Sequence, residues 1–167
     1  QSENNEGSIG ETVYMYVQAG GIGNTYQWQR SKDGKDGWED VTSTATARLA
    51  RMRLTRSPET VGYYYRCIIS NGKGETLTSV PVRIFSGEQG FVTYNEKTYY
   101  IQEDSFAAKG QQNIDGKYYY FSSSGVMQTG FLNIDGKRYY YDPVTGEAVT
   151  GFITLDTNGK TYYFDGV

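Results

Sequence analysis

The feature that most constrains the fold of this chain is a motif that recurs four times in its second half. The four lines open with glycines spaced by 20, 20 and 21 residues, which are Gly90, Gly110, Gly130 and Gly151. Each line also carries a Lys-x-Tyr-Tyr segment closed by an apolar or aromatic residue, and these segments begin at Lys97, Lys117, Lys137 and Lys160. A fixed period of this length indicates a repeat architecture in which each unit buries its apolar face against its neighbour.

Each repeat is predicted to form a β-hairpin. In the third repeat, a strand at 131–134 is followed by Asp135-Gly136 and a second strand at 137–141. Asp-Gly between β-forming residues favours a type I′ turn, because glycine accepts the positive φ that this turn requires. Asp115-Gly116 repeats the signal, while Asn95-Glu96 and 156–159 are variants of it. We therefore expect residues 90–167 to form a β-hairpin solenoid of about four repeats, each roughly 20 residues long.

The first half of the chain shows no repeat and predicts a separate β-sandwich. Strand-like stretches separated by Gly, Asn and Asp lie at 12–19, 25–31, 50–55, 63–70 and 76–84. Several short strands with frequent turns are typical of a sandwich. The predicted organisation is all-β, with a flexible N-terminus (1–8), the sandwich (9–85), a linker (86–89) and the repeat array (90–167).

Composition argues against catalysis and against several partners. The chain has no His and one Cys, which removes the usual general base, the commonest zinc ligand and any intrachain disulfide. Its net charge is −3, and no apolar run reaches the ~20 residues that a membrane helix needs. We expect no enzymatic activity, no metal, no cofactor, no nucleic-acid partner and no membrane span.

The first half resembles the immunoglobulin-like (Ig-like) domains of Gram-positive surface proteins. The resemblance covers roughly residues 9 to 85 and rests on Trp28 within Tyr-Gln-Trp-Gln-Arg and on the segment Tyr65-Arg66-Cys67. It implies a core Trp on strand C and a tyrosine corner on strand F. The second Cys of an antibody domain is absent, and Val13, Met15 and Val17 occupy the corresponding strand. We expect packing to replace the bridge, and the sequence leaves open which Tyr forms the corner.

The second half resembles the choline-binding or cell-wall-binding repeats, whose usual form is Gly-Trp, Gly-x-Trp-Tyr-Tyr and Gly-x-Met-x-Thr-Gly. Related arrays bind choline on teichoic acid, α-glucans or host oligosaccharides. This region contains no Trp, and the Gly-Trp position holds Phe91, Gln111, Phe131 and Phe152. The form Ile-Asp-Gly-Lys-x-Tyr-Tyr-Phe is closer to the toxin and glucan-binding variants.

Aromatic residues at the contacts between repeats are the predicted ligand-binding residues. An ammonium cage needs several electron-rich ring faces, and the same rings can stack on sugars. The ligand-binding residues expected are Tyr118, Tyr120, Met127, Phe131, Arg138, Tyr140 and Phe152. Tyr119 and Tyr139 alternate with Tyr118, Tyr120 and Tyr140, so the two sets lie on opposite strand faces. Which face is open is left undecided, and for any single Tyr packing between hairpins is the competing role.

The resemblances together predict a non-catalytic, extracellular, cell-wall-associated protein. Its expected partner is a cell-wall polymer or glycan, either choline-substituted teichoic acid or an α-glucan-like carbohydrate. The alternative is an adhesin whose Ig-like domain binds a host protein, through an exposed apolar patch around Trp38, with the repeats as scaffold. A purely structural stalk is the third interpretation.

Overall fold

The computed structural model describes residues 5–155 and 159–165, and its regular structure is almost all β. From residue 5 onward, the first half contains seven strands and one short 3₁₀ helix, η1. These elements are β1 (Thr12–Tyr16), β2 (Thr25–Ser31), β3 (Glu39–Asp40), η1 (Ala45–Arg48), β4 (Arg51–Thr55), β5 (Tyr64–Ser70), β6 (Thr76–Thr78) and β7 (Val82–Arg83).

Two antiparallel sheets in this half bury one common core. Strands β1 and β4 form a two-stranded sheet, and the second sheet has the order β3-β2-β5-β6, with β7 also paired to β5. Apolar residues alternate with polar ones in β1 and β4, so Val13, Met15, Met52 and Leu54 all point inward. They pack in one cluster with Trp28 and other residues of the second sheet.

The centre of this core is fixed by two hydrogen bonds from aromatic side chains. Trp28 lies directly opposite Cys67, and its indole Nε1 donates to the Leu49 carbonyl at 2.9 Å. Tyr65 is 1% exposed, and its hydroxyl donates to the Thr60 carbonyl at 2.8 Å. A buried Tyr or Trp needs such a partner because an unpaired polar group in a core is costly.

The second half consists of hairpins in separate small sheets, as the sequence predicts. Its strands are β8 (Gly90–Tyr94), β9 (Lys97–Ile101), β10 (Gly110–Ile114), β11 (Lys117–Phe121), β12 (Met127–Gln128), β13 (Gly130–Ile134), β14 (Lys137–Tyr141), β15 (Gly151–Leu155) and β16 (Lys160–Phe164). The hairpin pairs are β8–β9, β10–β11, β13–β14 and β15–β16, and β12 adds a third strand beside β11. Repeated hairpins in small sheets are thus confirmed.

The first three hairpins close through the turn type that their sequences indicate. Asp115-Gly116 has φ values of 52° and 80°, and Asp135-Gly136 has 50° and 80°. Asn95-Glu96 adopts the same turn at 49° and 61° without a glycine, which places the Glu96 side chain in the left-handed region. The predicted variant at 156–159 lies largely outside the described residues.

Successive hairpins pack the inner face of one against the outer face of the one before. Tyr119 and Phe121 of β11 lie in a buried cluster with Ala108, and Tyr100 of the preceding hairpin packs against that cluster. Tyr99 and Ile101 form the equivalent buried pair in the first repeat. In the first two repeats the face carrying Tyr99 and Tyr119 is therefore the more buried one. In the third repeat Tyr139 is half-buried and Tyr140, on the other face, is buried.

The two halves are in direct contact through one arginine and one pair of rings. Arg83 donates from Nε to the Gly62 carbonyl at 2.9 Å and from Nη2 to the Asp104 carbonyl at 2.8 Å. Phe106 packs edge-on against Tyr63, with ring centroids 5.1 Å apart. Gly62 has φ 84°, and a Cβ there would lie 2.7 Å from the Phe106 ring, so this approach requires glycine.

Hydrogen bonds also order the chain on both sides of this contact. The backbone N–H of Ser86 donates to Ser105 Oγ at 3.2 Å, within the stretch predicted to be a linker. Near the N-terminus, the carbonyls of Asn5 and Gly7 accept from the N–H groups of Phe85 and Gly87, at 2.7 and 3.0 Å. Residues 5–7 therefore run parallel to residues 85–87.

Candidate functional site

The candidate site lies where the outer face of one hairpin meets the next hairpin. In every hairpin the second residue of the first strand is paired with the fourth residue of the second strand. These cross-strand pairs are Phe91–Tyr100, Gln111–Tyr120, Phe131–Tyr140 and Phe152–Tyr163. We call the contacts of these pairs with the following repeat the first, second and third junctions.

Three rings converge at the first junction. The Phe91 centroid lies 5.0 Å from that of Tyr100 at an interplanar angle of 74°, and 5.0 Å from that of Tyr119 at 61°. These are edge-to-face geometries, which aromatic pairs prefer. Phe91 remains 46% exposed. The first junction therefore leaves nearly half of Phe91 open to solvent while two tyrosines contact its ring.

The third junction repeats the cluster, but a cation already covers it. The Phe131 centroid lies 4.9 Å from that of Tyr140 and 5.2 Å from that of Tyr162 in the next hairpin. The guanidinium carbon of Arg138 is 4.0 Å from the Phe131 centroid, which is a cation–π distance. The residue that corresponds to Arg138 in the first hairpin is Thr98, which carries no charge.

The second junction is polar because glutamine replaces the phenylalanine. Gln111 donates from Nε2 to the Tyr141 hydroxyl at 3.3 Å, and the Tyr120 and Tyr141 centroids are 6.2 Å apart. Lys117 Nζ lies 2.6 Å from Glu147 Oε1, joining the second repeat to the third. This junction is closed by hydrogen bonds and an ion pair and offers no exposed ring cluster among the described residues.

The fourth hairpin carries an exposed pair of rings on its outer face. Phe152 and Tyr163 have centroids 4.8 Å apart and are 80% and 61% exposed. Within the described part of the chain, no third ring packs on them. The pair is therefore an outer face that none of the described residues covers with a further ring.

Tyr119 at the first junction and Tyr141 at the second are neutral phenols. Burial, and secondarily the Glu147 carboxylate, raises the pKa of Tyr119 above its ordinary value. Burial also raises the pKa of Tyr141. The hydrogen bond from Gln111 lowers this pKa, but by less than burial raises it. Attraction of a cation to these junctions must therefore come from ring faces and not from phenolate charge.

The structure brings together only part of the predicted set of ligand residues. Phe131, Arg138 and Tyr140 meet at the third junction. Phe152 pairs with Tyr163 on the outer face of the fourth hairpin and does not extend that cluster.

The other predicted residues are at the second junction or in the interior of the array. Tyr120 contacts Tyr141, and the ring contacts of Phe131 in the described residues do not include Tyr118 or Tyr120. Tyr118 is half-buried, and its carbonyl accepts from the Ala148 N–H at 2.8 Å. Met127 packs beside the buried cluster of Tyr119 and Phe121.

Sequence reasoning missed the cluster at the first junction. A two-residue turn at Asn95-Glu96 fixes the register of the hairpin and so pairs Phe91 with Tyr100. That signal was available in the sequence. The approach of Tyr119 from the next repeat was not, because it depends on how successive hairpins stack.

Other chemistry has little support in the described residues. Asp115 and Asp135 occupy turn positions with φ of 52° and 50°, where Asp serves the backbone conformation. The described residues contain no group of three or more His, Cys, Asp or Glu able to hold a metal ion. They also contain no helix with the length and hydropathy of a membrane span. Trp38, the suggested adhesin residue, is half-buried, with the Arg66 guanidinium 4.0 Å from its ring centroid.

Three family profiles match the chain and together cover most of it. The profile described as choline-binding repeat matches residues 108–152, and the cell wall binding repeat profile matches 89–104 and 150–166. The profile described as domain of unknown function (DUF8696) matches residues 3–86. No protein with a curated function matches the chain significantly.

Several solved structures are similar to parts of the chain. CbpJ from Streptococcus pneumoniae is 25% identical over 62% of this chain and 30% of its own length, with a TM-score of 0.44. Choline binding protein F from Streptococcus pneumoniae, crystallised with a peptidoglycan analogue, is 19% identical over 94% of this chain and 49% of its own, with a TM-score of 0.45. Alternansucrase in complex with isomaltononaose is 31% identical over 46% of this chain and 8% of its own, with a TM-score of 0.37.

At these TM-scores the structural likenesses carry no argument about this protein. The chain spans about a third of the length of the first proteins it matches, which are covered to 30% and 34%. None of the comparisons names a host protein as a partner of this chain. The profile that spans residues 3–86 covers just over half of the chain, and the repeat profiles cover the second half. The chain therefore belongs to the family described as domain of unknown function (DUF8696), here followed by choline-binding and cell wall binding repeats.

Proposed function

We propose that this chain is a non-catalytic, cell-wall-associated binding protein whose hairpin repeats bind a choline-bearing wall polymer. An α-glucan-like carbohydrate is the alternative ligand. The observation that supports this most is the three-ring cluster at the first junction, where Phe91 is 46% exposed above Tyr100 and Tyr119. The choline-binding and cell wall binding repeat profiles that match this half support the same ligand class.

The third junction indicates which chemistry such a cluster attracts. There the Arg138 guanidinium lies over the Phe131 ring at 4.0 Å. A quaternary ammonium is attracted to a ring face by the same quadrupole, and it loses little hydration on binding. The first junction has the same rings and Thr98 in place of the arginine, so its ring face is available to an external cation.

The proposal is tested by calorimetric titration of the full chain with choline and, separately, with isomalto-oligosaccharides. Phe91→Ala should weaken choline binding about tenfold, because it removes the only exposed ring of the cluster. Phe152→Ala removes a ring with a single aromatic neighbour and should weaken binding less. Equal effects of the two substitutions, or choline binding unchanged by Phe91→Ala, would contradict the assignment of the first junction.

A reciprocal exchange tests the role of the cation. Thr98→Arg should place a guanidinium over Phe91 and reduce choline affinity, whereas Arg138→Thr should create a second available ring face at the third junction. The number of choline molecules bound per chain should therefore fall in the first variant and rise in the second. If isomalto-oligosaccharides bind and choline does not, the α-glucan alternative takes the place of choline.

We further propose that the first half has the Ig-like fold. Tyr65, two residues before Cys67, donates its hydroxyl to the Thr60 carbonyl in the manner of a tyrosine corner. Trp28 faces Cys67 across the pair β2–β5 in a core shared by two sheets. In this proposal the sandwich is displayed at the cell surface by the repeats. An experimental structure of the first half with a different strand order would overturn it.

A further inference from the structure

The outer face of the two-stranded sheet β1–β4 combines exposed tyrosines with arginines. Tyr14 is directly opposite Arg53, and Tyr16 is directly opposite Arg51. All four side chains lie on the face away from the core, because their neighbours Met15 and Met52 are buried. Tyr and Arg are the residue types that binding surfaces favour.

The tyrosines of this face are accessible, and one arginine is held in place by a ring. Tyr14 and Tyr16 are each 43% exposed. The guanidinium carbon of Arg51 lies 4.1 Å from the Tyr14 ring centroid. This cation–π contact orients the planar guanidinium and does not use its N–H groups as hydrogen-bond donors. A groove of about 760 Å³ runs beside these residues and extends to Glu11 and Arg56.

Among the described residues, the positive charge of Arg51 and Arg53 on this face has no acidic partner. Glu11 is the acidic residue that lines the groove, and its carboxylate lies 3.8 Å from Arg56 Nη1. Within the described part of the chain, no ion pair involves Arg51 or Arg53. A locally cationic face therefore exists on a chain whose net charge is −3.

We infer that the outer face of β1–β4 binds a phosphate-bearing polysaccharide. The forks of Arg51 and Arg53 match the geometry of phosphate oxygens, and the rings of Tyr14 and Tyr16 can stack on the sugars between them. The remaining outward residues of the two strands are Thr12 and Thr55, so this face has no aliphatic side chain to enter a lipid layer. The site is separate from the hairpin junctions and does not depend on the function proposed for them.

The test uses the full chain and phosphorylated dextran, with unmodified dextran of the same length as the neutral comparison. Arg51→Gln combined with Arg53→Gln should weaken binding to phosphorylated dextran at least about tenfold. Lys35→Gln combined with Lys73→Gln removes the same charge from exposed turns of the same half and should leave the affinity unchanged. Tryptophan fluorescence checks folding, because Trp28 and Trp38 both lie in this half.

The outcomes separate this site from the junctions and from other polyanion binding. Phe91→Ala should leave phosphorylated dextran binding intact, and Tyr14→Ala should weaken it. Equal losses in the arginine and lysine double variants would show nonspecific charge attraction and overturn the inference. Binding to phosphatidylglycerol vesicles that is stronger than binding to phosphorylated dextran would also overturn it, in favour of a lipid surface. An unchanged affinity in Tyr14→Ala would exclude sugar stacking and with it the proposed ligand.

Discussion

The two halves of this molecule use aromatic rings in opposite ways. In the first half, whose two sheets with their common core we call the sandwich, Trp28 and Tyr65 are 3% and 1% exposed and belong to a single cluster of buried residues. In the array, each buried cluster is small, and rings such as Phe91 and Tyr163 remain 46% and 61% exposed. Two sheets can enclose a core between them, whereas a single hairpin can only share its apolar face with a neighbour.

This difference explains where each half can bind a ligand. The array leaves Phe91 partly exposed at its first junction, because the next hairpin covers only part of the outer face of the first. The sandwich encloses its core rings, Trp28 and Tyr65, whereas its exposed rings Tyr14 and Tyr16 lie on the outer face of β1–β4, where we infer a ligand site. Because the sandwich has one shared core, a substitution there should lower the unfolding free energy of the whole half. A comparable substitution in the array should destabilise only its own repeat and the neighbouring ones.

The largest expected effect is from Met52→Ala in the sandwich. Met52 is 0% exposed in the shared core, and its truncation should lower the free energy of unfolding by about 2–5 kcal/mol. Denaturant titration followed by tryptophan fluorescence measures this half alone, because the array contains no Trp. Leu77→Ala, at a position that is 63% exposed, is the control and should change the midpoint little. If Ile101→Ala in the array shifts the fluorescence transition as much as Met52→Ala, the two halves unfold as one unit.

The second effect is an alkaline loss of stability of the sandwich, to which Cys67 contributes. Burial raises the pKa of Cys67 from 9.0 to about 11, so the folded state favours the neutral thiol. The stability that comes from burying the neutral thiol is fully present below pH 9 and is lost as the pH rises through the folded pKa. By pH 10 the loss amounts to about 1 kcal/mol of unfolding free energy. Between pH 8 and pH 10 the unfolding free energy should fall by about 1 kcal/mol more in the natural chain than in Cys67→Val, which keeps Tyr65, a buried phenol whose pKa is also raised. A decrease of the same size in Cys67→Val would assign the effect to other groups.

The smallest effect is a local gain in the first hairpin. Glu96 has φ 61°, where a residue with a Cβ is strained, while the corresponding residues of the next two hairpins are Gly116 and Gly136. Glu96→Gly should therefore stabilise this hairpin by about 1 kcal/mol. Hydrogen exchange of the β8 and β9 amides measures it, with the β13–β14 hairpin as internal reference. Faster exchange in β8 and β9 of the variant would contradict the strain argument.

The sequence was most informative about features that depend on local chemistry. The Asp-Gly pairs predicted the hairpins and their turn type, and the register that follows from those turns also determines the pair Phe91–Tyr100. The alternation of Tyr118, Tyr119 and Tyr120 showed that two faces exist. It could not show which face is buried, because that depends on the packing of Tyr100 against the next repeat. The contacts of Phe131 with Tyr140 and Tyr162 likewise depend on how the hairpins stack. For this reason the predicted set of ligand residues combined side chains that belong to two different junctions.

Arg83 has a consequence for how the protein is oriented on a surface. It is bonded to Gly62 in the sandwich and to Asp104 in the first repeat, and Phe106 closes the same contact against Tyr63. Rotation of one half relative to the other would break these bonds. A polymer that aligned the array would therefore also set the direction in which every attached sandwich faces, so that copies along one strand would display the same surface outward.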